Sequence, residues 1–368
     1  MVAAATVTQL AVGVGFSAVL AYFALYLRGG LGLTAFMVSV VVGLRTFVQL
    51  VCYAPAGRLT DRLGGVRAAA LACITRGMGF ALLAATDQVP ALVTAAVLVG
   101  VGGSLYTPAG QTLLAALPGE WPRRGYAWYI AAGQAAAAAG PLMGLALLAD
   151  SVPRTGFTSI AALAAVLWFG GGLVFLVLSP GFVLTSRPTH SYKMAIVLRD
   201  KELLRLVGAV WPITLLITQA TIVVPQVVVE QWLVAAFAVT GAAVAMVAQL
   251  PRLRALADEH GLVAGFAAFA AAYLLVAWAT PGPAQIVLAG ALSGWAQGML
   301  LPAVFARLIR LAPSGAVGAY AGVLHTLTGA IAFLAGLAIG IALDAGPAGR
   351  TGAVLGLAVC AALAVRRA

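Results

Sequence analysis

Three side chains in this sequence can carry charge well away from the ends of otherwise apolar runs: Arg45, Arg76 and His325. Arg45 lies twelve residues before Gly57, about 18 Å along a helix, and Arg76 lies ten residues after Val66. Both fall near the middle of a run of about 20 residues. A charged group at the centre of a bilayer-spanning helix costs about 2.5–3.5 kcal/mol on insertion scales, so such residues are functional candidates. Arg45, Gln49 and Cys52 follow i, i+4, i+7 spacing and share one helical face, which turns Arg45 toward protein or a cavity. Two readings stay open for it: a binding or gating cation, or a structural arginine held by backbone carbonyls and Gln49. His325 shares a stripe with Gly318, Gly322, Gly329, Gly336 and Gly340. It is suited to reversible protonation near neutral pH, and the competing reading is a packing histidine. No run carries a carboxylate near its centre, because Asp87, Asp150, Glu230 and Asp344 all sit at run ends.

The elements that hold these residues follow from composition. Of 368 residues, 63% are hydrophobic and 8% charged, against about 25% charged in a soluble domain. That is too little charge to cover a water-soluble globule, so the solvent is a lipid bilayer. A spanning helix needs about 20 apolar residues, and twelve of them use roughly 240, leaving loops too short for a soluble domain. The alternating ten-residue segments of a membrane β-barrel are absent. Gly, Pro and charge clusters delimit twelve runs: 5–27, 33–55, 66–86, 89–116, 125–149, 157–180, 203–227, 231–250, 262–280, 284–311, 317–342 and 350–366. The first run lacks a charged leader and a cleavage site, which predicts a retained helix.

The formal charge of +11 divides by topology. Sixteen of the 21 Lys and Arg fall on one side of the runs, together with six acids, and Arg28, Arg154 and Arg350 fall on the other with four acids. The positive-inside rule then predicts a multi-pass protein of the cytoplasmic membrane with both termini in the cytoplasm. Lys and Arg in short gaps, without interleaved aromatics on a soluble face, argue against nucleic-acid binding. Cys52, Cys73 and Cys360 have no metal-ligand spacing and read as small buried hydrophobes, so neither metal nor cofactor is expected.

A weak internal repeat pairs Pro108, Pro118, Gly125 and Gly57 with Pro302, Pro313, Gly318 and Pro251, at offsets of 194, 195, 193 and 194 residues. Six runs separate the copies, which predicts parallel repeats about an axis along the membrane normal. The expected organisation is a six-helix half at 1–180, a cytoplasmic connection at 181–202 and a second half at 203–368.

Between the second and third runs stands Gly57-Arg58-Leu59-Thr60-Asp61-Arg62-Leu63-Gly64-Gly65-Val66-Arg67. Gly57 and Gly64 are expected to permit tight helix exits. The segment resembles the signature loop of the major facilitator superfamily. The resemblance implies that Gly57, Asp61, Arg62 and Gly64 form a conformational latch, with Asp61 bracing one half against a helix of the other. In the fifth run, Gly133-Gln134 precedes Gly140-Pro141-Leu142-Met143-Gly144, which is similar to the antiporter motif of that superfamily's drug:proton exporters. Gly140 and Gly144 suit close helix approach, and Pro141 suits a bend. The overall pattern, with Arg199-Asp200-Lys201-Glu202 before the seventh run, resembles bacterial multidrug efflux proteins. Many of those carry an acid in the first span and an Arg in the fourth; residues 5–27 and 89–116 contain neither.

The resemblance implies an all-α fold of twelve transmembrane helices in two pseudo-symmetric six-helix bundles, working by alternating access and not as an enzyme. It implies a cavity wall drawing on Tyr22, Gln49, Gln111, Gln134, Trp211, Gln219, Trp295 and Gln297, beside Arg45 and His325. Gly100, Gly103, Ser104, Thr107 and Gln111 form one small, polar stripe, and Trp211-Pro212 predicts a kink. Such a chamber has positive and no negative charge, which suits neutral or anionic amphiphiles. The expected activity is efflux of small amphipathic compounds by a monomer in the bilayer; the proton coupling that the resemblance implies would fall to His325 or to a boundary acid such as Asp150 or Glu230. The alternative is a uniporter or importer of an organic anion or sugar.

Overall fold

The computed structural model describes residues 2–115, 121–148, 153–178, 197–228, 230–277, 281–313 and 316–366, with 121–124, 153 and 251–260 described by their backbone. Pro118, Asp150 and most of the expected connection 181–202 lie outside the described residues. Every described element is helical. In chain order they are α1 (Val2–Leu25, continued by a π-turn Tyr26–Gly30), α2 (Ala35–Val51), α3 (Tyr53–Leu63), α4 (Gly65–Ala85), α5 (Val89–Ala115), α6 (Trp121–Leu148) and α7 (Pro153–Leu178). After these come α8 (Lys201–Val227), α9 (Gln231–Ala248), α10 (Pro251–Val276), α11 (Pro283–Leu311), α12 (Val317–Asp344) and α13 (Gly346–Val365).

Ten of the described helices are long and apolar enough to cross a membrane, and the bent pair α2–α3 meets the same criterion only when its two helices are taken together. In α10 the apolar stretch with described side chains is Gly261–Val276. The protein is therefore an all-helical, multi-pass membrane protein. Outward faces carry large apolar side chains, including Val166 at 67%, Val177 at 70% and Leu334 at 65% exposure, as lipid-facing surfaces do. Lipid tails are as apolar as leucine, so helix association depends on close packing of small residues. Gly140 of α6 is one such position: a Cβ there would stand 2.6 Å from Ser17 Cβ, 2.7 Å from the Val14 carbonyl oxygen and 2.8 Å from the Ala18 nitrogen.

The signature segment corrects two expectations. Gly57 is no helix exit; it lies within α3, and a Cβ added there meets nothing within 4 Å. The exit is Gly64, at φ +78°, a conformation that favours glycine. The second run also breaks earlier than expected, bending by 54° between α2 and α3. Pro55 supplies the reason: its ring clashes with the carbonyl four residues back, which is Val51, the last residue of α2. By contrast, α6 continues through Pro141 and α8 through Pro212. The expected connection holding Arg252 and Arg254 is helical too, since α10 begins at Pro251.

The chain divides into two compact units, residues 1–26 with 44–189, and residues 27–43 with 190–368. In the first, α1 packs on α6 and α7, and α4 packs on α5 and α7, around the fully buried Trp168, Tyr22, Phe80, Phe157 and Phe175. In the second, α11 packs on α9 and α10, α12 on α8, and α13 on α10, with Phe266 and Phe269 fully buried.

Candidate functional site

In the first unit, α1, α2, α4, α5 and α7 converge on buried Arg76 and partly buried Arg45. Arg76 of α4 is 6% exposed. Its Nε donates to the Val99 carbonyl at 3.0 Å and its Nη2 to Gln49 Oε1 at 3.2 Å. Its guanidinium carbon stands 4.5 Å from the Phe16 ring centroid and 4.8 Å from that of Trp168, within cation–π range. Glycine on α5 makes the room, because a Cβ on Gly102 would stand 2.6 Å from Arg76 Cγ. The structural role considered for Arg45 thus belongs to Arg76: Gln49 accepts from Arg76, while its own Nε2 donates to the Tyr53 hydroxyl at 2.9 Å.

Arg45 of α2 is less well provided for. Its Nη2 donates to Thr46 Oγ1 at 2.7 Å, its guanidinium carbon lies 5.4 Å from the same Phe16 ring, and its Nε is buried without an acceptor. Among the described residues neither arginine pairs with a carboxylate. Arg45 also borders a crevice otherwise walled by Phe16, Phe23, Phe80, Leu83 and their apolar neighbours.

The remaining candidates scatter. Tyr22 is 1% exposed and donates its hydroxyl to the Pro141 carbonyl at 2.8 Å, so it ties α1 to α6 beside Gly140 and Gly144. The polar stripe of α5 splits. A Cβ on Gly100 would meet the Arg45 carbonyl at 2.6 Å, Ser104 is buried, and Thr107 and Gln111 are exposed. Gln134, Trp211, Trp295 and Gln297 are partly buried, and Gln297 Nε2 donates to the Ser293 carbonyl at 3.3 Å. Gln219 is 1% exposed with both amide atoms unpartnered. His325 is partly buried on α12. In α3, Asp61 is partly buried and Arg62 exposed.

The second unit contains a feature that sequence reasoning does not reach. Asp344, the last residue of α12, accepts from Ala35 N at 2.8 Å on Oδ1 and from Phe36 N at 2.9 Å on Oδ2, and Arg28 Nη1 pairs with Oδ1 at 2.8 Å. Thr34 Oγ1 accepts from Met37 N at 3.2 Å. The first three amides of α2 are thereby satisfied, two of them by an anion at the positive end of the helix dipole. One turn below, a Cβ on Gly340 would stand 2.7 Å from Ser39 Oγ and 2.9 Å from Phe36 Cα. At the other end of α12, the Tyr320 hydroxyl donates to Asp200 Oδ2 at 2.5 Å, while Asp200 Oδ1 caps α8 by accepting from Glu202 N and Leu203 N. These bonds, that from Tyr320 foremost, hold the Asp200 carboxyl below its ordinary range. Helix α12 is thus fastened at both ends through carboxylates that also cap a neighbouring helix. Thr34 before an apolar run and Asp200 two residues before Glu202 are legible as caps; their long-range partners are not.

The described helices make an all-helical, multi-pass membrane assembly. The family model of the Major Facilitator Superfamily matches residues 5–257, and the chain belongs to that superfamily, whose members transport solutes and are not enzymes. An uncharacterized MFS-type transporter of Mycobacterium tuberculosis is 30% identical over 365 residues, spanning 92% of this chain and 85% of that protein. The multidrug resistance protein MdtH of Aeromonas hydrophila is 29% identical over 327 residues, 85% and 80% of the two chains. Among solved structures, a POT family transporter superposes with TM-score 0.80 at 14% identity, covering 99% of this chain and 94% of that one. The nucleoside transporter NupG gives 0.75 at 11% identity, covering 99% and 97%. These two likenesses concern the fold.

Proposed function

We propose that this transporter exports small amphipathic compounds from the cytoplasm by alternating access, driven by the inward proton gradient. The observation that carries export is the likeness, over 85% of the chain, to a protein named for multidrug resistance. In this reading twelve spans form two six-helix halves, 1–180 and 203–368, joined by 181–202. The protein works as a monomer in the cytoplasmic membrane with both termini inside. Gly57, Asp61, Arg62 and Gly64 act as the latch between access states. His325 takes up and releases the coupling proton, since an imidazole titrates near neutral pH. The test is substrate-driven proton movement in proteoliposomes, which His325→Ala reduces by tenfold or more. Transport that persists unchanged after the pH gradient is collapsed overturns the coupling. A second reading, a uniporter or importer of an organic anion or sugar, is favoured by Arg45 and Arg76 having no described acid beside them. Transport compared in inverted and right-side-out vesicles separates the two directions.

A further inference from the structure

We infer that the second unit holds an anion site of its own, which receives a phosphate group between Arg350 and Arg28 at the end of α12 that carries Asp344. A cavity of about 310 Å³ opens there, within the range of roughly 300–1,000 Å³ that holds small ligands. The turn after α1 supplies Arg28, the last turn of α8 Gln226, the end of α10 Ala277, and the first two turns of α13 Gly346, Arg350 and Thr351. Polar as well as apolar surface faces the cavity. Asp344 stands about 28 Å along α12 from His325, at 1.5 Å per residue, so this site is separate from the protonation site of the proposed function.

The charges around the cavity do not balance. Arg28 Nη1 pairs with Asp344 and also donates to the Leu33 carbonyl at 3.1 Å, while Asp344 is committed to the amides of α2. Arg350 Nη2 donates to the Val227 carbonyl, and among the described residues Arg350 has no carboxylate partner. The other donors of both guanidiniums lack an acceptor among the described residues, and they are accessible, whereas Arg45 Nε is sealed. Two cations and one anion leave one positive charge. The N-terminus of α13 adds to it, because Ala345 gives no side-chain cap and the first-turn amides carry the positive end of the helix dipole. A Cβ on Gly346 would meet nothing within 4 Å, so space lies over that turn. Arg28, Arg154 and Arg350 are the basic residues expected on the sparsely charged side of the membrane; two of the three line this cavity, while Arg154 pairs with Asp87.

Guanidinium edges and a helix N-terminus offer donors from several directions, which a tetrahedral phosphate accepts more fully than a planar carboxylate. The same phosphate chemistry is carried by a soluble ester and by the headgroup of an anionic lipid, which basic pockets between membrane helices also bind.

The test uses the purified full-length chain. In phosphatidylcholine nanodiscs, equilibrium dialysis compares glycerol 3-phosphate with glycerol. In neutral detergent, native mass spectrometry counts the lipid retained from an equimolar mixture of phosphatidylglycerol and phosphatidylcholine. A tenfold or greater preference for the anion is expected in at least one arm: the first arm alone identifies a free phosphate ester, the second alone a headgroup, and either supports the site. R350Q weakens ester binding tenfold or more, or loses one retained phosphatidylglycerol per chain. T351E, which adds a carboxylate to the cavity wall at an exposed position, does the same without lowering the melting temperature. R154Q, outside the cavity, stays within a factor of two of the wild type. No anion preference in either arm, R350Q and T351E proteins that bind as the wild type does, or an equal loss in R154Q each overturn the inference. None of these readouts involves transport, so their failure leaves the proposed function standing, and loss of proton coupling in His325→Ala leaves this site standing.

Discussion

Asp344→Ala removes two hydrogen bonds from the first turn of α2 and the ion pair with Arg28. Losing a capping acceptor costs about 0.5–2 kcal/mol, and losing an anion at a helix N-terminus costs about 0.3–1 kcal/mol. The Arg28 pair adds only a few tenths, roughly, because its side chains are 39% and 26% exposed. Since the cap and dipole contributions overlap, the expected total is about 1–2.5 kcal/mol. This energy holds the first turn of α2 against α12, so it appears as local opening. Amide exchange at Ala35–Val38 is expected to accelerate roughly 5- to 60-fold, at about tenfold per 1.4 kcal/mol. Asp344→Asn keeps one acceptor and loses the charge, and falls between. Hydrogen–deuterium exchange in detergent reads this directly, with α9 as the internal reference. Unchanged exchange at Ala35–Val38, or equal acceleration in α9, would refute the reasoning: the first makes the carboxylate dispensable, the second makes the effect global.

Asp200 gives a pH dependence with a definite sign. Its carboxyl titrates below its unfolded value because the Tyr320 hydroxyl and two backbone amides bond its ionised form. The stabilisation is therefore complete above about pH 3.9, the unfolded value, and is lost as pH falls through the lower folded value. Between about pH 4.5 and 3, bracketing that value, the wild-type melting temperature should fall more steeply than that of Asp200→Asn; parallel curves would remove the cap from the account. A glycine pair tests packing against motif. Gly140→Ala forces a Cβ to within 2.8 Å of two backbone atoms and should destabilise the fold by about 1–3 kcal/mol. Gly57→Ala, with nothing within 4 Å, should stabilise α3 by about 0.5–1 kcal/mol. Melting shifts of the same sign in both variants would contradict the distinction.

Much of the architecture is legible without coordinates. Hydropathy locates the helices because a bilayer obliges each crossing segment to be long, apolar and internally hydrogen-bonded. The signature around Asp61 and the Gly140-Pro141 pair lead to the right superfamily because they are local strings. Their local consequences are less legible. Gly57 suggests an exit that Gly64 in fact makes, since a glycine marks permission for a turn and not its occurrence. The bend at the end of α2 is hidden although Pro55 is in view, because its clash acts four residues upstream.

Composition and residue order determined the solvent, the helical class and the presence of two unmatched arginines, since those depend on what each residue is and on neighbours within a few turns. Only the tertiary structure decided that Gln49 serves Arg76, that Phe16 underlies both guanidiniums, that Tyr22 belongs to the α1–α6 seam, and that Asp344 closes the first turn of α2 from 309 residues away. Each of these depends on which helix faces which at a given depth. In a bilayer nearly every apolar surface is equally acceptable, so hydropathy carries no record of the pairing, and close contact between small residues and buried polar groups decides it.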